Sequence, residues 1–357
     1  MRIRIDDISA LARGCAVLGT GGGGEVTTSS LIARQALGEH GPVELVGLAD
    51  LPDGGWVMPV GGIGAPSVSI EKLGSGAEVG VLREAVETST GEPVMALMAS
   101  EIGGGNGVLP VAWAASSGLP LIDADGMGRA FPQVDMVSMN VAGLPPDLIV
   151  MADERDNVVT VRASDAAWAE LIARAVTDVF GGSAAMADYV MRVEQARGAV
   201  IEGSISQALR IGRAVFAADD PVTGLLQAVA GTKVIEGKVV DVDRKTAGGF
   251  VRGSVVIEGY GADSGRLVRI EIQNENLVAL EDGRVLASVP DLITVVDSQT
   301  ADALATELVR YGQRVAVVAF PCHAIWRTER GLDIAGPGAF GYDFDYVPIE
   351  VLNDAHA

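Results

Sequence analysis

The residues best suited to chemistry gather between Ala99 and Gln133. Two short apolar runs, Val94 to Ala99 and Leu119 to Ile122, each deliver acids at their end: Glu101 after the first, Asp123 and Asp125 after the second. A glycine-rich turn follows each run, Gly103-Gly104-Gly105 and then Gly126-x-Gly128. Carboxyls sharing a partly dry cleft push their pKa values apart, which supplies one base and one acid near neutral pH. The same oxygens suit a divalent cation such as Mg²⁺, and Asp123 or Asp125 could instead cap the turn or helix that follows. Asn106 offers an amide to a carbonyl or a ring nitrogen, or serves as a turn residue. Arg129 carries the planar fork that grips a substrate carboxylate, or pairs with Asp123 or Asp125.

Those side chains must be positioned by strands. Short apolar runs ended by turn signals read as buried strands, and strands alternating with helices read as a parallel sheet. Ligands of such sheets sit beyond the carboxyl ends of the strands, so the acids are expected to share one crevice. Further glycines point the same way. Gly19 to Gly24 form an unbroken small-residue loop, Thr20 aside, ahead of a helix near Thr27–Leu37. Gly19, Gly21 and Gly24 fit GxGxxG, but the motif follows a helix where a dinucleotide site needs a strand, and the P-loop pattern is absent. The backbone of Gly21, Gly22, Gly23 and Gly24 is expected to approach a ligand closely, with N–H groups free to face an anion. Glu25 joins them as a substrate contact or simply favours its helix start. Strands at Val43–Leu48 and Trp56–Val60 lead into a third glycine-rich turn, Gly61-Gly62-Ile63-Gly64-Ala65-Pro66, which puts Gly62 in the same cleft as Gly104.

The fold class expected is α/β, divided near residue 165. Residues 1–165 read as a parallel-sheet domain with glycine-rich loops, and 166–357 as a mostly antiparallel β domain flanked by helices. Helices are expected at 6–18, from about 77 to 88, and after Ser164, which caps an amphipathic helix with Trp168, Leu171, Ile172, Ala175, Val176 and Val179 on one face. Another spans Ser204 to Phe216. Val268, Ile270 and Ile272 alternate with polar residues as a half-buried strand does, and Asn274-Glu275-Asn276 and Glu281 to Arg284 read as turns. A helix over Thr300–Tyr311 and a strand over Arg314–Phe320 follow. The adjacent Cys322 and His323 would point to opposite sides of an extended chain, so a buried thiol is the commoner outcome than a catalytic pair. Trp326, Phe340, Tyr342, Phe344 and Tyr346 crowd the tail, either as a stacking wall for a ring or as interface packing.

Composition removes several classes of function. A net charge of −21 argues against nucleic acid, which needs clustered Lys and Arg. No run approaches a membrane span. The start MRIRIDDISA lacks the apolar core of a secretory signal, and Cys15 and Cys322 have no metal spacing, so a cytoplasmic, reduced setting is expected. With three histidines a multi-histidine metal site is not expected. No cofactor is called for, although the carboxylates would accept a divalent metal.

LGTGGGGEV, ASEIGGGNG, DADGMGRAFPQ, VPDLITVVDS and WRTERGLDIAGPGAFGYDFDYVP together resemble the S-methyl-thiohydantoin desulfurase family over essentially the whole chain. The resemblance implies a catabolic enzyme acting on a five-membered cyclic ureide or its thio analogue, in a family whose members often occur with hydantoinase/oxoprolinase proteins. It supplies no catalytic residues, so the roles of Glu101, Asp123, Asp125 and Arg129 rest on chemistry alone. The leading expectation is a hydrolytic desulfurase in which Glu101 or Asp123 activates water. The alternatives are a non-catalytic subunit of a hydantoinase/oxoprolinase assembly, a metal- or nucleotide-dependent ring-opening hydrolase, and, for quaternary structure, a homo-oligomer.

Overall fold

A computed structural model describes every residue except 65–67, 69–71, 73, 248–249 and 355–357. The expected α/β arrangement is present as two sheets with helices around them. The first sheet takes β1 (Arg2–Ile3), β2 (Val43–Val46), β3 (Trp56–Gly64), β4 (Val94–Ala99), β5 (Leu121–Asp125), β6 (Ile149–Ala152), β7 (Val158–Val161) and β8 (Ser183–Ala187) in the order β1-β2-β5-β4-β3-β8-β6-β7. Its centre, β2-β5-β4-β3, is parallel. Strands buried on both faces must be apolar throughout. Val57, Met58 and Val60 of β3, and Ala96, Leu97, Met98 and Ala99 of β4, satisfy this. Beyond β3 the sheet continues antiparallel through β8, and β9 (Met191–Arg192) and β10 (Ile201–Glu202) pair with β3 and β5. Three strands from beyond residue 165 therefore complete this sheet.

The second sheet is antiparallel throughout, ordered β15-β14-β13-β12-β11-β17-β16. Its strands are β11 (Thr232–Ala247), β12 (Phe250–Gly259), β13 (Leu267–Gln273), β14 (Glu275–Glu281), β15 (Arg284–Ser288), β16 (Leu292–Asp297) and β17 (Arg314–Phe320). The period-two reading of β13 holds: Val268, Ile270 and Ile272 are its buried face. Asp282 and Gly283, both at positive φ, make the two-residue hairpin between β14 and β15.

The longer helices are α1 (Ile8–Leu18), α2 (Val26–His40), α3 (Glu78–Thr90), α4 (Gly104–Ser117), α5 (Ala166–Val179), α6 (Ser204–Ala217) and α7 (Pro221–Val229), followed near the end by α8 (Glu329–Ala335) and α9 (Ile349–Asp354). Three expectations need correction. Gly61 to Gly64 are not a turn but the end of β3, paired with β8, and the remainder of that stretch, Ala65 and Pro66, lies outside the described residues. Residues 300–311 form no helix; their polar side chains make local turns, Asp297 accepting from Thr300 and Thr300 from Asp302. On α5 the cap is Asp165 rather than Ser164. Its buried face is Ala169, Ala173 and Thr177, with Trp168 at 55%, Leu171 at 60% and Val179 at 83% exposure. Ile172 and Val176 pack half-buried beside these small residues, while Trp168, Leu171 and Val179 turn outward. No helix among the described residues is long and apolar enough to cross a membrane.

Candidate active site

The carboxyl ends of β3 and β4 open into a cavity of about 120 Å³. Its walls include Gly23, Gly24, Gly61, Gly62, Phe131 and Met186, and three acids face it: Glu101, Asp188 and Glu275. A cavity of roughly 150 Å³ holds a benzene ring, so the space matches a small ring. The position is the one open parallel sheets reserve for ligands.

Glu101 leaves the end of β4 and is held by Asn106, in the first turn of α4. The Asn106 amide behaves like one more residue of the sheet: its Oδ1 accepts from the Gly62 N–H at 2.8 Å and its Nδ2 donates to the Gly62 carbonyl at 3.0 Å. The remaining Nδ2 proton goes to Glu101 Oε1 at 2.6 Å. The expected ligand contact is thus the residue that aims the carboxyl. Glu101 Oε2 is buried with no partner. Burial pushes the Glu101 pKa up to about 8, against the hydrogen bonds from Asn106 and the Phe131 backbone, with Asp125 and Asp188 raising it further.

Asp188 follows β8 and accepts from Ser100 Oγ at 2.5 Å through Oδ1, while Oδ2 has no partner. Burial lifts it to about 6. Glu275 comes from the second sheet, at the start of β14 after Asn274, whose φ is 58°. Asn274 Oδ1 accepts from the Val251 N–H at 2.8 Å, and the Asn276 N–H donates to the Thr20 carbonyl at 2.8 Å. These bonds tie the segment to β12 and to the glycine loop after α1. The Glu275 side chain lies on Gly22, where an added Cβ would stand 2.0 Å from Oε1. Its pKa is raised well above the usual range by burial and then by the negative charge of Glu101, with Arg129 opposing. No group of three or more His, Cys, Asp or Glu among the described residues is arranged to hold a metal ion.

The other sequence candidates are placed elsewhere. Asp123 Oδ1 and Oδ2 accept from the N–H (2.9 Å) and hydroxyl (2.5 Å) of Ser206, so it caps the first turn of α6 and does not face the cavity. Asp125 sits under the turn that follows β5, one oxygen accepting from the N–H groups of Ile102, Met127 and Gly128 at 2.8, 3.0 and 2.7 Å. Burial raises its pKa to about 6, against those bonds. Arg129 is fully buried and grips protein: Nη1 donates to the carbonyls of Pro290 and Asp291 at 2.7 and 3.0 Å, Nη2 to Thr20 Oγ1 at 3.1 Å and Nε to the Ala130 carbonyl. Its hydrogen bonds join the loop after α1 and the turn after β5 to the segment before β16, and it does not line the cavity.

The glycine loops serve each other as much as the cavity. The carbonyls of Gly23 and Gly24 accept from the N–H groups of Asn106 and Gly105 at 3.1 and 2.9 Å. Gly104, at φ 60°, could carry no side chain, because a Cβ would lie 2.5 Å from the Gly23 carbonyl carbon and the Gly24 oxygen. The start of α4 is therefore filled by loop carbonyls and not open to an anion. At α2 the carboxylate of Glu25 takes the Thr27 N–H at 2.7 Å, which makes it the helix cap. Of the loop residues, Gly23 and Gly24 line the cavity, whereas Gly21, Gly22, Gly104 and Glu25 do not.

Cys322 is buried, its thiol pushed up to about 12 by burial and by Asp291, and it lies outside the cavity wall. The tail aromatics do not line the cavity either. Trp326 instead supports the wall: its Nε1 donates to the Met127 carbonyl at 2.7 Å and its ring meets Phe131 edge-on at 4.8 Å. Sequence reasoning missed Asp188, Ser100 and Glu275. Asp188 had the signature already used for Glu101, an acid ending a short run, but Ser183-Ala184-Ala185-Met186-Ala187 lacks the β-branched residues that mark a strand.

No curated protein matches this chain. A crystal structure of a protein from Chromobacterium violaceum is similar, with 24% identity and a TM-score of 0.78 over 98% of this chain and 100% of that one, which is a likeness of fold. Residues 6–163 match the S-Me-THD-like N-terminal domain and residues 163–349 the S-Me-THD-like C-terminal domain, and the chain belongs to that family.

Proposed function

We propose that the protein is a hydrolase that removes sulfur from an S-methyl-thiohydantoin or a related cyclic ureide, with water activated by a carboxylate. The observation that carries this reading is the pairing of Glu101 and Glu275 on one ring-sized cavity, each with a raised pKa and one unpartnered oxygen. Two buried carboxyls facing one cavity lose their protons in separate steps, so that one can be ionised while the other is still protonated. The ionised member takes a proton from water, whose oxygen bonds to the ring carbon bearing sulfur. The protonated member gives its proton to the adjacent ring nitrogen. The C–S bond then breaks, the new hydroxyl's proton leaves with the thiolate as methanethiol, and the carbon becomes a carbonyl. Transfer of the proton back across the pair restores the starting state. We assign the base to Glu101 and the acid to Glu275, because Asn106 donates to Glu101 and so favours its ionised form. Asp123 and Asp125, committed to backbone and cap, take no part.

The test is methanethiol release from an S-methyl-thiohydantoin by purified protein. Glu101→Gln and Glu275→Gln are each expected to lose on the order of 10²-fold or more, the usual worth of a positioned acid or base, while the product hydantoin still binds. Chelator treatment is expected to leave release unchanged. Near-wild-type release by both variants would sink this reading.

A further inference from the structure

Among the described residues, nothing covers the free edge of β7 or the outward stripe of α5. β7 ends the first sheet and pairs with β6 alone among the described strands. It has no Pro or Lys to guard its edge, and Val158 is exposed. On α5, packed over β6, β7 and β8, Trp168, Leu171, Ala175 and Val179 recur at spacings of three and four, so they form one outward apolar stripe. A contiguous exposed apolar strip in a chain of net charge −21 marks a contact surface.

The charges at the ends of β7 say what covers it. Asp156, at φ 63° in the turn two residues before the strand, and Arg162, just after it, are both exposed, and neither makes an ion pair among the described residues. Each lies three residues from Val159. A two-fold axis at Val159 that set β7 antiparallel to its own copy would carry each Arg162 to the other copy's Asp156. Surfaces that are self-complementary in this way are the signature of an isologous dimer. A different partner would have to supply both charges at that spacing, whereas a second copy does so by symmetry.

We propose that two copies of this chain associate edge to edge through β7, antiparallel about Val159, with both α5 stripes covered by the same contact. Light scattering on a sizing column is expected to give twice the 36.7 kDa chain mass. Arg162→Asp and Asp156→Arg, each converting two attractions into two repulsions, should weaken dimerisation roughly tenfold or more. The double swap should restore it, and Trp168→Glu should yield monomer. Thermal melts of each variant separate dissociation from unfolding. A monomeric wild type at micromolar concentration overturns the proposal. So does a dimer indifferent to either single swap or to Trp168→Glu, and so does a double swap that fails to rescue two dissociating singles.

Discussion

Replacing Glu101 by Gln should make the protein more stable at high pH. The native carboxyl titrates at about 8, against 4.5 for the free group. A raised acid pKa means that the native state binds the proton more tightly than the unfolded chain does. The stabilisation is complete below pH 4.5 and is lost as pH rises through 8. The window spans 3.5 pH units (8 − 4.5), which at about 1.36 kcal/mol per unit is about 5 kcal/mol. Gln keeps an oxygen to accept from Asn106 but puts an NH₂ where Oε2 has no partner, a cost of about 1–3 kcal/mol at every pH. The net gain is then about 2–4 kcal/mol at pH 9, and the variant is the less stable protein at pH 4. At roughly 1.3 °C per kcal/mol for a chain of this size, the Tm of Glu101→Gln should lie about 3–5 °C above wild type at pH 9 and a few degrees below it at pH 4. Calorimetry across this pH range measures the crossing. A Tm difference that does not change sign or size with pH would refute the placement of an ionisable, desolvated carboxyl at Glu101.

Arg129→Met should cost about 3–5 kcal/mol, because it strips the carbonyls of Pro290 and Asp291 of their donor inside the protein. A denaturant midpoint checks it, and an effect confined to the KM of a carboxylate substrate, with stability intact, would restore the clamp. Asp123→Ala should lower stability by about 1 kcal/mol through loss of the α6 cap, with the kcat of methanethiol release unchanged; a collapse of kcat in a folded variant would return Asp123 to the chemistry.

The sequence exposed some of this architecture because certain segments have only one way to fold. β4 and α6 carry enough apolar residues, in the right period, for their limits and faces to be read off directly. α5 misled for a physical reason. Its large apolar residues do form a stripe, but close packing on a sheet favours Ala169 and Ala173 at the contact, and periodicity ranks side chains by size and not by fit. Glu101 was legible as an acid at a strand end, the same rule that would have found Asp188. Glu275 was not, since Asn-Glu-Asn between two strands reads as a solvated turn. It is buried because Asn274 and Asn276 spend their polar groups on Val251 and Thr20, partners that only the tertiary fold supplies. Arg129 shows the same limit: a buried cross-link and a carboxylate clamp call for the same residue, and the carbonyls of Pro290 and Asp291 that its Nη1 grips lie more than 160 positions away.

The acidity of the site is a property of the assembly and of no single strand. Glu101 comes from the parallel sheet, Asp188 from its antiparallel extension and Glu275 from the second sheet. Only when the sheets meet does Glu275 lose its water and feel Glu101. The contacts that bring them together are backbone-directed: the Thr306 N–H to the Gly21 carbonyl, the Asn276 N–H to the Thr20 carbonyl, Thr294 Oγ1 to the Val17 carbonyl, and Arg129 Nη1 to the carbonyls of Pro290 and Asp291. Glycine at 22 leaves the room into which Glu275 folds. The glycine loop is therefore better understood as the seat of the second sheet than as an anion cradle. The chain's small residues leave room for Glu275, which the second sheet carries to the cavity that Glu101 lines from the first.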